Sequence, residues 1–98
     1  MIVVRNVFRL KFGKAREALA VWKEGMAINK KLGMPEGRLL TDVTGQFYTL
    51  VFETTFPSLS AWEEVGKKVM GSEDFRNWYQ KTQQYTESGY REIFSVVE

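Results

Sequence analysis

The chain contains neither cysteine nor histidine in its 98 residues. Without cysteine it has no disulfide framework, no thiol nucleophile and no thiolate metal site. Without histidine it lacks the side chain that most often acts as a general base near neutral pH and that most often ligates metals. We therefore expect no metal site and no cofactor.

Long apolar runs and a strong charge of one sign are also missing. No apolar run approaches the length of a membrane-spanning helix. The N-terminal apolar residues are interrupted by Arg5, Asn6 and Arg9, and no small-residue cleavage site follows, so the sequence predicts no signal peptide. A formal net charge of +2 is too small to indicate a polyanionic partner. We expect a cytoplasmic protein that binds neither nucleic acid nor membrane.

The apolar residues instead follow two regular periods. A period of two residues predicts strands, and a spacing of three and four residues predicts helices. The first predicted helix ends at Gly33 and Pro35. Either Ser58 or Ser60 caps the second helix, which is interrupted at Gly71-Ser72. In chain order the predicted elements are strand 2–12, helix 14–32, strand 38–44, strand 47–56 after a tight turn at 44–46, a split helix up to Tyr85, and strand 90–97. This order predicts one domain, 1–98, folded as an α+β sandwich with antiparallel strands ordered 4-1-3-2.

One face of that sheet is covered by helices, and the other, here called the second face, is left without a cover. The pattern assigns Leu40, Tyr48 and Phe94 to the helix side. It assigns about eight large apolar residues to the second face, among them Val3, Val7, Phe47, Val51 and Ile93. Such a patch exceeds what a monomer usually exposes, so we expect these five residues to form a homodimer interface. A solvent-exposed face rich in good strand formers is the alternative.

The chain resembles the dimeric α/β-barrel superfamily. The features that carry the resemblance are the element order, Asn6 in the first strand and the stretch Gly71-Ser72-Glu73-Asp74-Phe75-Arg76. That superfamily includes antibiotic-biosynthesis-type monooxygenases, heme-degrading monooxygenases and NIPSNAP-like proteins. The resemblance implies a ferredoxin-like protomer that pairs through its sheet and holds a ligand between sheet and helices. Asn6 interrupts an apolar series, and in the oxygenase branches an asparagine at the matching position contacts substrate or oxygen. Alternatively, Asn6 only bonds a backbone group.

The heme-degrading branch has an axial histidine where this chain has Tyr79, so heme degradation is not expected. The resemblance to the cofactor-independent oxygenases implies a site in which asparagine, tryptophan, tyrosine and arginine hold a phenolic substrate. By that resemblance the ligand-binding candidates are Asn6, Arg38, Tyr48, Trp62, Trp78 and Tyr79, and the catalytic candidates are Asn6 and Tyr79. The alternative for the aromatic residues is that they form the core.

Two further functions fit the sequence less well. An RNA-recognition motif needs a stacking aromatic where Val3 stands and a basic, glycine-containing third strand, which residues 44–48 do not supply. Asp42, Glu53 and Glu92 lie on different predicted strands, which favours surface charge over a metal cluster. We therefore predict a protein that binds a small apolar or aromatic molecule. The alternative is a cofactor-independent monooxygenase acting on a phenolic or polyketide-like substrate.

Overall fold

The computed structural model describes all residues from Met1 to Glu98 and contains four strands and three helices. In chain order they are β1 (Ile2–Leu10), α1 (Ala15–Lys31), β2 (Arg38–Thr41), β3 (Thr49–Phe56), α2 (Leu59–Met70), α3 (Glu73–Gln83) and β4 (Thr86–Ser95). The strands form one antiparallel sheet in the order β2-β3-β1-β4. This is the predicted 4-1-3-2 order seen from the other edge, and the βαββαβ chain is ferredoxin-like.

The pairing of the two central strands determines which residues form the core. In β1, Val4, Asn6, Phe8 and Leu10 share one face, and β3 places Phe52 opposite Asn6. The helices pack on this face because apolar side chains alternate with polar ones along both strands. The central core cluster consists of Leu10, Ala18, Trp22, Leu50, Phe52 and Trp78.

Helices α1 and α3 approach most closely where Gly25 meets Trp78. A β-carbon built on Gly25 would lie 2.1 Å from Trp78 Cε2, so only glycine leaves room for the indole ring. Trp78 Nε1 donates a 2.6 Å hydrogen bond to the carbonyl oxygen of Val21. The Trp78 ring also meets Trp22 edge-on, at 5.0 Å between centroids and 89° between planes. These contacts fasten α3 to the first helix.

The second helix is split at Gly71, as the sequence predicts. Ser58 Oγ accepts from the Ala61 amide and caps α2, so Ser58 and not Ser60 is the cap. Ser72 Oγ accepts from the Phe75 amide and caps α3 in the same way. None of the three helices has the length and apolar character needed to cross a bilayer.

The third strand starts two residues later than predicted. Tyr48 has a φ of +60°, a left-handed conformation that ends the period-two alternation at that residue. Asp42 Oδ1 accepts from the Thr49 amide at 2.9 Å, so a longer loop replaces the tight turn predicted at 44–46. Phe47 lies in this loop with 73% of its surface exposed. The prediction that Phe47 belongs to the second face is therefore wrong.

The two edge strands have the opposite register from the predicted one. In β4, Ile93 pairs with Val4 and therefore faces the helices, while Phe94 pairs with Val3 on the second face. The cause is Gly89, which lies inside the strand opposite Phe8, where a β-carbon would come within 2.6 Å of the Phe8 ring. Ile93 is thus not a second-face residue, contrary to the prediction.

The edge strand β2 shows the same one-residue shift. Leu39 pairs with Phe52 and packs against the core, whereas Leu40 pairs with Val51 and lies on the second face. The second face therefore contains six large apolar residues, which are Val3, Val7, Leu40, Val51, Tyr90 and Phe94.

Two helical glycines should respond in opposite ways to alanine. Gly25→Ala forces Trp78 to move and should lower the free energy of unfolding by about 1–3 kcal/mol, the usual cost of overpacking. Gly66→Ala in α2 meets no atom within 4 Å and should raise the free energy of unfolding by about 0.5–1 kcal/mol through helix propensity. Urea unfolding of both variants measures the difference. Equal effects would contradict the close approach of α1 and α3.

Candidate functional site

A cavity of about 860 Å³ lies between the helix-facing side of the sheet and helices α2 and α3. Its sheet wall comes from β1, β3 and β4, and α1 contributes Trp22 and Asn29. Most of the wall is apolar, including Val4, Phe52, Phe56 and Val69. The cavity belongs to the same layer as the core and opens beside β4, whose residues are largely exposed.

The sequence of α2 explains why this space is not filled. Trp62, Val65, Gly66 and Val69 all line the cavity and lie at helical spacing on one stripe. Gly66 sits in the middle of the stripe, and a β-carbon there would have no neighbour within 4 Å. An apolar side chain at this position would complete the core, so the missing side chain leaves room for a ligand.

A polar pair lies on the sheet wall of this cavity. Asn6 and Arg91 are direct neighbours across β1 and β4, and Arg91 Nε donates a 2.7 Å hydrogen bond to Asn6 Oδ1. The Arg91 guanidinium carbon also lies 5.2 Å from the centroid of the Trp62 ring, a cation–π distance. Asn6 therefore bonds a side chain at the cavity and not the backbone.

Four of the six predicted ligand-binding residues line the cavity: Asn6, Trp62, Trp78 and Tyr79. They are not equivalent. The indole N–H of Trp78 is already bonded to Val21. The Tyr79 ring stacks on Phe75 at 6.1 Å with 18° between planes and is 49% exposed. Asn6 and Trp62 carry the contacts with Arg91.

The other two candidates lie elsewhere. Arg38 is on the second face, where its Nη2 is 2.8 Å from Glu53 Oε1, because β2 pairs in the register described above. Tyr48 lies in the loop before β3, and its ring packs 4.8 Å from that of Phe12. Arg38 and Tyr48 therefore lie outside the cavity that Asn6 lines.

Arg91 and Gly66 line the cavity but were not among the sequence candidates. The predicted register of β4, which puts Ile93 on the second face, would put Arg91 there as well. The signal that could have placed it is Gly89: a glycine needed opposite Phe8 puts residue 91 on the same face as Asn6. No group of three or more acidic side chains is close enough together to hold a metal ion.

Comparison with known proteins adds the fold relationship. No family model matches the sequence, and no curated protein sequence matches it. Among solved structures, a NIPSNAP family protein from Agrobacterium tumefaciens superposes with a TM-score of 0.91 at 19% identity, over 99% of this chain and 93% of that one. An uncharacterized NIPSNAP domain protein from Burkholderia xenovorans gives 0.87 at 18% identity, over 99% and 95%. The chain therefore shares the fold of these two proteins.

The oxygenases of the predicted resemblance are structurally similar as well. SnoaB, a cofactor-independent oxygenase from Streptomyces nogalater, superposes with a TM-score of 0.74 at 13% identity, over 99% of this chain and 93% of that one. At these identities the likeness establishes the architecture. The resemblance to NIPSNAP-like and antibiotic-biosynthesis-monooxygenase-like proteins is therefore confirmed at the level of the fold.

Proposed function

We propose that this protein binds a small apolar or aromatic molecule in the cavity between the sheet and helices α2 and α3. The observation that carries the proposal is the cavity itself, about 860 Å³ with largely apolar walls. Small-molecule sites are typically concave, mostly apolar and provided with a few convergent polar groups. Asn6 and Arg91 are such groups.

Aromatic ligands suit these walls best. Trp62, Phe52 and Tyr79 offer ring surfaces from α2, β3 and α3, and offset or edge contacts between rings add to the free energy gained by burial. The empty position at Gly66 lies one helical turn from Trp62, so a ligand that fills it also reaches the indole.

A homodimer formed through the second face is the proposed assembly. Phe94 and Tyr90 of β4 are 47% and 60% exposed on this face, whereas Val51, two strands away on β3, is only 8% exposed within one protomer. A twofold contact would bury this patch against its own copy. The charged residues on this face already form ion pairs within one protomer, because Glu53 pairs with Arg38 at 2.8 Å and with Arg5 at 3.3 Å.

Cofactor-independent oxygenation is the second candidate function. It is favoured by the two hydrogen-bonding side chains on the cavity wall and by the shared fold with SnoaB. In such a reaction a phenol-activated methylene donates the electrons, and one oxygen atom of O₂ becomes the carbonyl while the other leaves as water. Asn6 and Arg91 would stabilise the enolate or peroxide oxygen, which carries the developing negative charge.

Filling the position of Gly66 should abolish ligand binding without unfolding the protein. Gly66→Leu places an apolar side chain in the open volume and should weaken binding of the neutral fluorescent probe N-phenyl-1-naphthylamine by at least about tenfold. Gly66→Ala is the matched control, since it gains the same helix propensity and leaves most of the volume free. Equal affinity in both variants, measured by fluorescence titration, would show that the probe does not occupy this cavity.

A charge on the second face should prevent self-association. Phe94→Glu would bury an unpaired carboxylate between two copies, so the variant should sediment as a monomer at a concentration where the unaltered protein is a dimer. Phe12→Glu is the control, because Phe12 is 81% exposed in the turn after β1, outside the second face. Sedimentation of the unaltered protein as a monomer at micromolar concentration would refute the dimer.

The oxygenase candidate is tested with an anthrone. In air the protein should convert it to the anthraquinone with one O₂ consumed per product, and without O₂ the anthrone should remain unchanged. Asn6→Ala should slow the reaction about 100-fold if its amide stabilises the developing charge, while the melting temperature stays close to that of the unaltered protein. This function would be eliminated if the unaltered protein oxidised the anthrone no faster than buffer alone does, or no faster than the Gly66→Leu variant does.

A further inference from the structure

Arg91 is held in place without being neutralised. Its Nε is fixed by Asn6 and its guanidinium carbon lies over the Trp62 ring. The three ion pairs of the protein involve other cations: Arg5 and Arg38 with Glu53, and Lys81 with Glu24. A guanidinium that uses one of its five donor hydrogens in this way keeps its terminal nitrogens for another partner.

The same hydrogen bond orients Asn6. Because Arg91 can only donate, the atom of Asn6 that receives its bond must be the carbonyl oxygen, which leaves the amide hydrogens on the other side. The structure records no acceptor for those hydrogens among the side-chain bonds of Asn6. Arg91 and Asn6 thus present two neighbouring donor groups on the sheet wall of the cavity.

The carboxylates around the cavity do not cancel this positive charge. Glu63 lies one helical turn from Lys67 on α2, a spacing at which opposite charges attract each other. Glu87 is four residues from Arg91 on the same strand, a separation of about 13 Å along an extended chain. Neither carboxylate is within ion-pair distance of Arg91, since both are absent from its contacts.

We infer that the ligand of this cavity is an anionic amphiphile, with a carboxylate or similar anionic oxygen group bound by Arg91 and an apolar or aromatic body in the cavity. The inference rests on the proposed binding function and narrows its ligand class. Planar guanidinium groups bind carboxylates through two parallel hydrogen bonds, and such charge-assisted bonds are stronger than neutral ones. Arg91 is exposed at the rim, so the head group remains near solvent while the body is buried.

The test uses two competitors of the same shape, 2-naphthoate and its neutral amide, 2-naphthamide, each displacing N-phenyl-1-naphthylamine from the full-length protein. The unaltered protein should bind the naphthoate about tenfold more tightly than the amide, as expected for one exposed charge-assisted contact. In Arg91→Gln the preference for the naphthoate over the amide should disappear, with the affinity of each competitor compared with that of the neutral probe measured in the same variant. Arg16→Gln, the same charge change at an exposed position of α1, should keep the preference.

The results separate this inference from the binding function on which it rests. If the neutral probe binds but naphthoate and naphthamide compete equally, or if the preference survives in Arg91→Gln, the anionic ligand is refuted and the cavity function stands. If the neutral probe does not bind at all, both fall. If Arg91→Gln is unfolded, as judged by a thermal melt, Arg91→Lys replaces it in the test. Lysine keeps the charge but lacks the planar guanidinium group, so part of the preference for naphthoate over naphthamide should remain.

Discussion

The contact between Trp78 and Gly25 is the constraint on which the arrangement of the helices depends. Trp78 fills the space that a side chain at position 25 would take and donates a hydrogen bond to the α1 backbone. Its ring packs edge-on against Trp22. Helices α1 and α3 therefore act as one unit on the central strands. Helix α2 is separated from α3 by the break at Gly71 and carries Gly66 on its inner stripe, so the cavity opens under α2.

The order of the elements could be read from the sequence because each segment has a clear period. Alternation in β1 and helical spacing in α1 are long enough to leave one interpretation, and the serine caps mark the break in the second helix. Asn6 was identifiable for the same reason. A polar residue inside a regular apolar series has to lie against either a hydrogen-bond partner or a cavity. Asn6 lies against both, since it bonds Arg91 and lines the cavity.

The registers of the edge strands could not be read in this way. Leu39-Leu40 and Ile93-Phe94 are adjacent apolar pairs, so either residue of each pair can face the helices and hydrophobicity cannot decide between them. In β4 the available space decides, because Gly89 has to lie opposite Phe8. The left-handed backbone at Tyr48 is equally invisible to periodicity, and it removes Phe47 from the sheet. Arg38, Tyr48, Phe47 and Ile93 were misplaced for these reasons, and Arg91 was overlooked.

Strand β4 carries the polar contact of the cavity on one side and part of the second face on the other. Arg91 faces Asn6, while Tyr90 and Phe94 project in the opposite direction from the same backbone. A shift of this edge strand toward a bound molecule would displace both sets of side chains together. Thermodynamic linkage then requires reciprocity: a ligand that moves β4 changes the self-association constant by the same factor by which self-association changes ligand affinity. Apparent affinity would in that case depend on protein concentration, and a single strand would transmit the dependence.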